Sequence, residues 1–291
     1  MARPDTASWL VVGGDSLIGR ALVRTVEVQG RAVLATTRRR GCAGPRRPHL
    51  ELAQDPSDWT PPDRVSVAFL LAAAANQLSC CADPAAARRI NVDNTTALAR
   101  RLIDCGAFVV FTSTNLVFDG EQARYPTCAA PHPTSEYGRQ KADAERALLA
   151  LGSRVAVVRL TKVLSAELPL IANWVAALKA GRAVEAFTDL ICAPMPVDFV
   201  AEALAGIGAQ EKGGLFHLSG ADEMSYAEFA AALARRLGAD PSLVRPVTSR
   251  DAGLRLQAIP KHSSLDASGV VDALGLAPPP IEAVLSSCIG P

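Results

Sequence analysis

Tyr137 and Lys141 stand four residues apart, a spacing that sets both side chains on one face of a helix, one turn from each other. A free phenol ionises near pH ~10, too high for efficient proton transfer at neutral pH; an adjacent ammonium stabilises the phenolate and lowers that value. The chain holds three tyrosines and five lysines, and the other tyrosines, Tyr125 and Tyr226, have alanine four residues on. The couple is therefore a candidate for acid–base work. Upstream, the apolar run 108–111 leads into Thr112-Ser113-Thr114-Asn115, which places hydroxyls where a strand should end. Such hydroxyls either hold a carbonyl oxygen beside Tyr137 or satisfy the backbone of a turn.

A second constellation lies near the start. Val11-Val12-Gly13-Gly14-Asp15-Ser16-Leu17-Ile18-Gly19 joins an apolar run to an amphipathic stretch. Gly13 and Gly14 permit a tight turn and close backbone approach to a ligand. Gly19 lets a helix lie near a sheet, and the helix N-terminus offers amides and a dipole to a pyrophosphate. The loop, with Asp15, Ser16, Leu17 and Ile18, reads as a dinucleotide cradle; Ser16 stands where such loops often carry their middle glycine. The next apolar run ends in Thr36-Thr37-Arg38-Arg39-Arg40 without an acid. An acid there would hold a ribose 2′-hydroxyl, whereas arginine suits a 2′-phosphate, so Arg38 favours NADP, with NAD as the alternative.

Positioning these groups requires a scaffold, and the hydrophobic pattern supplies one. Strands are expected at 9–12, 32–35, 65–71, 108–112 and 154–159, with helices at 17–30, 83–105 and 135–151 between them. Asp83-Pro84 reads as an N-cap with proline at the first helical position, and Gly152 as a helix stop. Continuous β-branched runs separated by helices predict an α/β fold, a doubly wound parallel sheet of Rossmann type. Residues 1–160 are expected to form this dinucleotide-binding domain with the catalytic residues. Residues 161–291, with helices near 166–180, 197–207 and 225–237 and a strand at 215–218, form mainly a smaller α/β substrate lobe, parts of which pack back on the sheet.

The segments Ser113-Thr-Asn-Leu-Val-Phe-Asp-Gly120 and Tyr137-Gly-Arg-Gln-Lys141, with the glycine loop, resemble the extended short-chain dehydrogenase/reductase superfamily, most closely its dTDP-4-dehydrorhamnose reductase branch. The likeness extends through Ala72 to Ala75, Ile90-Asn-Val92, Val157-Val-Arg-Leu160, Ala193-Pro-Met-Pro-Val-Asp198, Phe216-His-Leu-Ser-Gly220 and Ser263-Ser-Leu-Asp266. It implies that Thr114, Tyr137 and Lys141 are the catalytic trio. It also implies that Glu51 and Leu52 meet the adenine, that Ala72, Ala73 and Ala74 pass the cofactor, and that Asn115 and Lys162 face the substrate. Asn115 and Leu116 replace the family's usual Asp-Tyr, and Arg159-Leu-Thr-Lys162 replaces its Arg-Thr-Ser-Trp. Losing two aromatic rings and gaining a cation points away from the rhamnose precursor, towards a negatively charged or otherwise different sugar.

The resemblance implies an NADP-dependent reductase of the 4-keto group of a nucleotide-activated deoxysugar. Two other readings stay open: an epimerase or dehydratase of the same superfamily, and a cofactor-binding regulatory subunit without turnover, like the regulatory β subunit of methionine adenosyltransferase. The superfamily allows a homodimer. Composition excludes other classes. With 49% hydrophobic and 20% charged residues and a net charge of +1, the chain is neither a disordered segment nor a general nucleic-acid binder. Seven cysteines without zinc or disulfide spacing, and histidines 49, 132, 217 and 262 without ligand spacing, give no metal site. His217 and Trp174 read as core. No signal peptide or membrane-length apolar run is recognised, so a soluble cytoplasmic protein without a membrane partner is expected.

Overall fold

The computed structural model describes residues 7–254 and 259–290. Most of the N-terminal segment read for a leader, Met1 to Thr6, lies outside them. The first half alternates strands and helices: β1 (Ser8–Val12), α1 (Leu17–Val28), β2 (Val33–Ala35), β3 (Val65–Leu70), α2 (Gln77–Ala82), α3 (Pro84–Arg88), α4 (Thr95–Asp104), β4 (Phe108–Thr114), α5 (Glu136–Leu149) and β5 (Val155–Leu160). The second half follows with β6 (Val163–Leu164), α6 (Pro169–Lys179), β7 (Val184–Phe187), β8 (Ile191–Cys192), β9 (Met195–Pro196), α7 (Val197–Gln210) and β10 (Gly214–Leu218). It ends in β11 (Met224–Ser225), α8 (Tyr226–Arg236), β12 (Val244–Val247), α9 (Ser268–Leu274) and α10 (Ile281–Ile289).

Six strands form one parallel sheet in the order β2-β1-β3-β4-β5-β10. The chain leaves β1 for β2 on one side and for β3 on the other, and the reversal opens a crevice at the strands' carboxyl ends. Alternation along each strand serves both faces. Trp9, Val11, Phe69, Val110 and Val158 meet α1 and α7 through Leu22, Val200 and Leu204. Leu10, Val12, Leu70, Phe111 and Val157 meet α4 and α5 through Leu98, Leu102, Ala144 and Leu148. A separate core around Leu164, Ile171, Trp174, Phe229 and Leu285 holds α6, α8 and α10 together. His217 and Trp174 are both buried, as their apolar neighbours predict.

Register carries β4 past β3. Leu70 of β3 pairs with Phe111, whereas Thr112, Ser113 and Thr114 continue beside β5 alone, so the hydroxyl row projects past the neighbouring β3 edge. Helix starts follow local capping: Ser16 accepts from the Gly19 amide, Asp83 from Ala86 and Ser135 from Gly138. The helix expected over 83–105 runs from Pro84 to Asp104 and widens in the middle. Between α3 and α4 the backbone opens into a π-turn at Arg89–Asn94, and two asparagines of this turn reach outwards. Asn91 accepts from the Ala74 amide at 2.8 Å and donates to the Ala74 carbonyl at 3.1 Å, while Asn94 donates to Leu52 and Gln54 carbonyls at 2.8 and 2.9 Å. These side-chain cross-links tie the loops before and after β3 to the π-helical stretch. Among the described residues no helix is long and apolar enough to cross a membrane.

Asn91 is buried, and Asn91→Ala strands the Ala74 amide and leaves the Ala74 carbonyl with the Cys80 thiol alone. The expected loss is about 1–3 kcal/mol, read as a lower urea midpoint at unchanged slope; an unaltered midpoint contradicts the bracing role.

Candidate active site

A cavity of about 970 Å³ runs across the carboxyl ends of β1, β3, β4 and β5, and most of the residues singled out above line it. At one end stand Gly13, Asp15, Ser16 and Ile18 with Arg38, Glu51 and Leu52. Ala72, Ala73 and Ala74 line the middle with Thr114, Asn115, Tyr137 and Lys141, and Lys162 stands towards the second half of the chain. Gly14, Leu17 and Gly19 are not on its wall. They shape the loop from behind: a Cβ on Gly14 would stand 2.6 Å from the Ala35 Cβ, and one on Gly19 would stand 2.3 Å from the Gly13 carbonyl. Leu17 packs with the core beneath α1. Gly13 has φ +93° and lies where a Cβ would come within 2.8 Å of the Ala72 nitrogen, so only glycine brings the two loops this close.

Asp15 does more than complete the loop. Its carboxylate accepts from Thr37 Oγ1 at 2.7 Å and pairs with Arg47, tying the loop to the segment after β2. Burial pushes this carboxyl up, but the Thr37 bond and the charges of Arg47 and Arg39 outweigh it and hold Asp15 below its usual range. Gly13 donates its amide to Thr36 Oγ1 at 3.0 Å from the same side. Arg38 and Arg39 stand exposed on the wall at the end of β2, and Leu50 and Leu52 offer a buried apolar seat nearby.

The candidate acid–base pair lies on α5. Tyr137 is half-buried at the wall, and Lys141, one turn on, is 3% exposed. The Lys141 Nζ donates to the Thr112 carbonyl at 2.6 Å and lies 4.1 Å from the Phe111 ring centroid. Burial draws the Lys141 amine down to about 7, against the pull of Glu145. Tyr137 departs from the expectation. Burial, with Cys80 adding to it, pushes the phenol above its usual value, where the helical spacing alone predicts a lowering. Thr114 Oγ1 accepts from the Leu116 amide at 3.2 Å and lies 3.4 Å from Asn115 Oδ1, so it caps the short turn after β4 while facing the cavity.

Sequence reading missed what stands behind Lys141. Glu145, one further turn along α5, receives three bonds from Arg159 at 2.7–3.1 Å, and both side chains are 3% exposed. The Arg159 guanidinium lies 4.8 Å from the Phe118 ring and places Nη1 3.3 Å from His217 Nε2. Burial, reinforced by Arg159, takes His217 down to about 4, so it stays neutral and adds no second cation. Gln140 accepts from Asn91 at 2.8 Å and thereby joins α5 to the Ala74 segment. Tyr226, Cys192, Ile191 and Thr161 also line the cavity. Thr161, Ile191 and Cys192 come from a loop and a short strand and Tyr226 from the start of α8, and no periodic signal joins them.

Sheet, cradle and wall are those of an extended short-chain dehydrogenase/reductase, an α/β fold of Rossmann type. The chain belongs to the RmlD substrate binding domain family, whose model matches residues 7–291. The "Probable low-salt glycan biosynthesis reductase Agl14" of Haloferax volcanii is 28% identical over 288 residues, 94% of each chain. The dTDP-4-dehydrorhamnose reductase of Streptomyces griseus is 29% identical over 270 residues, 89% of this chain and 86% of that one. Methionine adenosyltransferase 2 subunit beta of Pongo abelii is 28% identical over 211 residues, and the match spans 66% of this chain but only 60% of the relative. Among solved structures, dTDP-4-dehydrorhamnose reductase from Bacillus anthracis, crystallised with NADP, superposes with a TM-score of 0.82 at 18% identity, covering 98% of both chains.

Glu145→Ala leaves the Arg159 guanidinium buried without its partner. The expected cost is about 3–5 kcal/mol of unfolding free energy, measured by denaturant titration; a cost below about 1 kcal/mol, the range of exposed pairs, contradicts the burial of this pair.

Proposed function

We propose that this chain is an NADP-dependent reductase of the 4-keto group of a nucleotide-activated sugar. The observation that carries the reading is the convergence, in one cavity, of a glycine cradle, the exposed Arg38 and the Tyr137–Lys141 pair beside the Thr114 hydroxyl. The cradle suits a dinucleotide: Gly13 lies where any larger residue would strike Ala72, and α1 begins with its amides at the same loop. Gly13, Ser16 and Ile18 would hold the pyrophosphate, Leu52 and Glu51 the adenine, and Arg38 the 2′-phosphate. When bound, such a cofactor supplies a hydride.

The chain's own residues handle the oxygen. Burial keeps the Tyr137 phenol protonated, which suits a group that must give a proton to an oxygen becoming an alkoxide. Thr114 donates its hydroxyl hydrogen to the same oxygen, drawing it from the long Asn115 contact. Lys141 then offsets the phenolate left behind, and Glu145, held by Arg159, offsets Lys141. The names of the Haloferax and Streptomyces relatives support reductase chemistry. The likeness to the methionine adenosyltransferase subunit supports a second reading, cofactor binding without turnover.

The test offers NADPH with a panel of nucleotide 4-keto sugars and follows the loss of reduced-cofactor absorbance. Turnover with at least one is expected, and Tyr137→Phe should lower kcat by about 10²-fold or more. Saturable NADPH binding with no turnover across the panel favours the regulatory reading. Arg38→Ala should weaken NADPH by roughly 10-fold or more and leave NADH nearly unchanged, since a charge-assisted bond to phosphate is lost; equal weakening of both contradicts the 2′-phosphate assignment. The profile of kcat/KM against pH should fall on the alkaline side of about 7 as Lys141 loses its proton. A profile flat through that region contradicts a working cation there.

A further inference from the structure

The cavity holds a second Tyr–Lys couple. Lys162 and Tyr226 stand on the wall towards the second half of the chain, with the Lys162 Nζ 5.8 Å from the Tyr226 ring centroid. The two residues come from different elements, the segment after β5 and the first turn of α8. Lys162 is exposed, and among the described residues no carboxylate lies within 4 Å of its ammonium. The carboxylates of this region are committed elsewhere. Glu223 accepts from His262 Nδ1 at 2.8 Å and from the Ser263 and Ser264 amides at 2.5 Å each, and Glu228 closes the capping box of α8 with Ser225. Cys192 beside them is a buried thiol, pushed up to about 12 by burial, and carries no charge to neutralise Lys162.

Resting on the reductase reading above, we propose that Lys162 and Tyr226 form a carboxylate subsite and that the substrate is a nucleotide sugar whose sugar carries an acidic group. An ammonium and a phenol O–H together supply donors to two oxygens of one carboxylate. Position selects the sugar over the diphosphate. Leu160, the last residue of β5, is the register partner of Thr114, and Lys162 follows two residues on, in the segment between β5 and β6, on the cavity wall that Thr114 also lines. Under the reductase reading Thr114 holds the C4 oxygen, so a subsite following on from its register partner meets the sugar ring, whereas the diphosphate leaves from the anomeric carbon across the ring.

Affinity measured by calorimetry with NADPH present tests this without requiring turnover. The probes are UDP, UDP-glucose and UDP-glucuronic acid, with the dTDP counterparts in parallel. The acid should bind about 10-fold or more tightly than the matching neutral sugar. Lys162→Met should bring that ratio to within about two-fold, and Tyr226→Phe should reduce it by part of the same amount. Equal affinity of acid and neutral sugar in the unaltered protein overturns the proposal, as does a Lys162→Met variant that weakens UDP by the same factor as UDP-glucuronic acid, which marks a diphosphate contact. Failure of every probe, UDP and dTDP included, to bind while NADPH binds overturns the nucleotide-sugar reading and this proposal with it.

Discussion

An ammonium withdrawn from water at the end of a parallel sheet costs several kcal/mol unless fixed dipoles and charges replace its hydration, and Lys141 is placed under that constraint. The Thr112 carbonyl, the face of Phe111 and the carboxylate of Glu145 supply the replacement. Glu145 in turn is a buried anion and is held by Arg159. The chain of compensation crosses the sheet from α5 through β5 to β10, where neutral His217 ends it. Because β10 belongs to the second half of the sequence, the electrostatics of the Tyr137 environment depend on both halves being docked.

The same constraint orients the reacting groups. Tyr137, Lys141 and Glu145 occupy successive turns of one helix, so fixing Glu145 fixes the rotation of α5 and the direction in which the phenol faces. Gly138 lets that helix approach the turn after β4, since a Cβ there would stand 2.1 Å from the Leu116 carbonyl. Close approach brings Thr114, at the projecting end of β4, beside Tyr137 on the cavity wall. On the other side, Asp15 with Thr37 and Arg47 sets the loop that Gly13 brings against Ala72. Two rigid walls thus face each other across the strand ends.

Much of this is written locally. Helix caps at Ser16, Asp83 and Ser135, the β-branched strand runs, the glycine loop and the four-residue Tyr137–Lys141 spacing each follow from neighbours in sequence. What escaped sequence reading is non-local. Glu145 and Arg159 read as an ordinary helical acid and a strand residue until the sheet brings them together. Asp15 reads only as a member of the glycine cradle, and its tie to Arg47 appears in the fold alone. The π-helical stretch sets Asn91 against Ala74, a contact that no helical period encodes. Tyr226, set aside because Ala230 follows it one turn on, meets Lys162 from across the chain. The Tyr137 phenol is raised where a lowering is expected for a related reason: helical spacing fixes which face two residues share, but not the burial that disfavours phenolate and ammonium alike.

The account's central claim is that Tyr137 and its buried cation work on an oxygen whose carbon receives hydride. The most direct measurement incubates the protein with NADPH deuterated at the transferable position and a nucleotide 4-keto sugar, then weighs and maps the product. The account predicts one deuterium at the former carbonyl carbon, absent from the product mixture when Tyr137→Phe replaces the unaltered chain. Saturable NADPH binding with no deuterium in any sugar of the panel would contradict it.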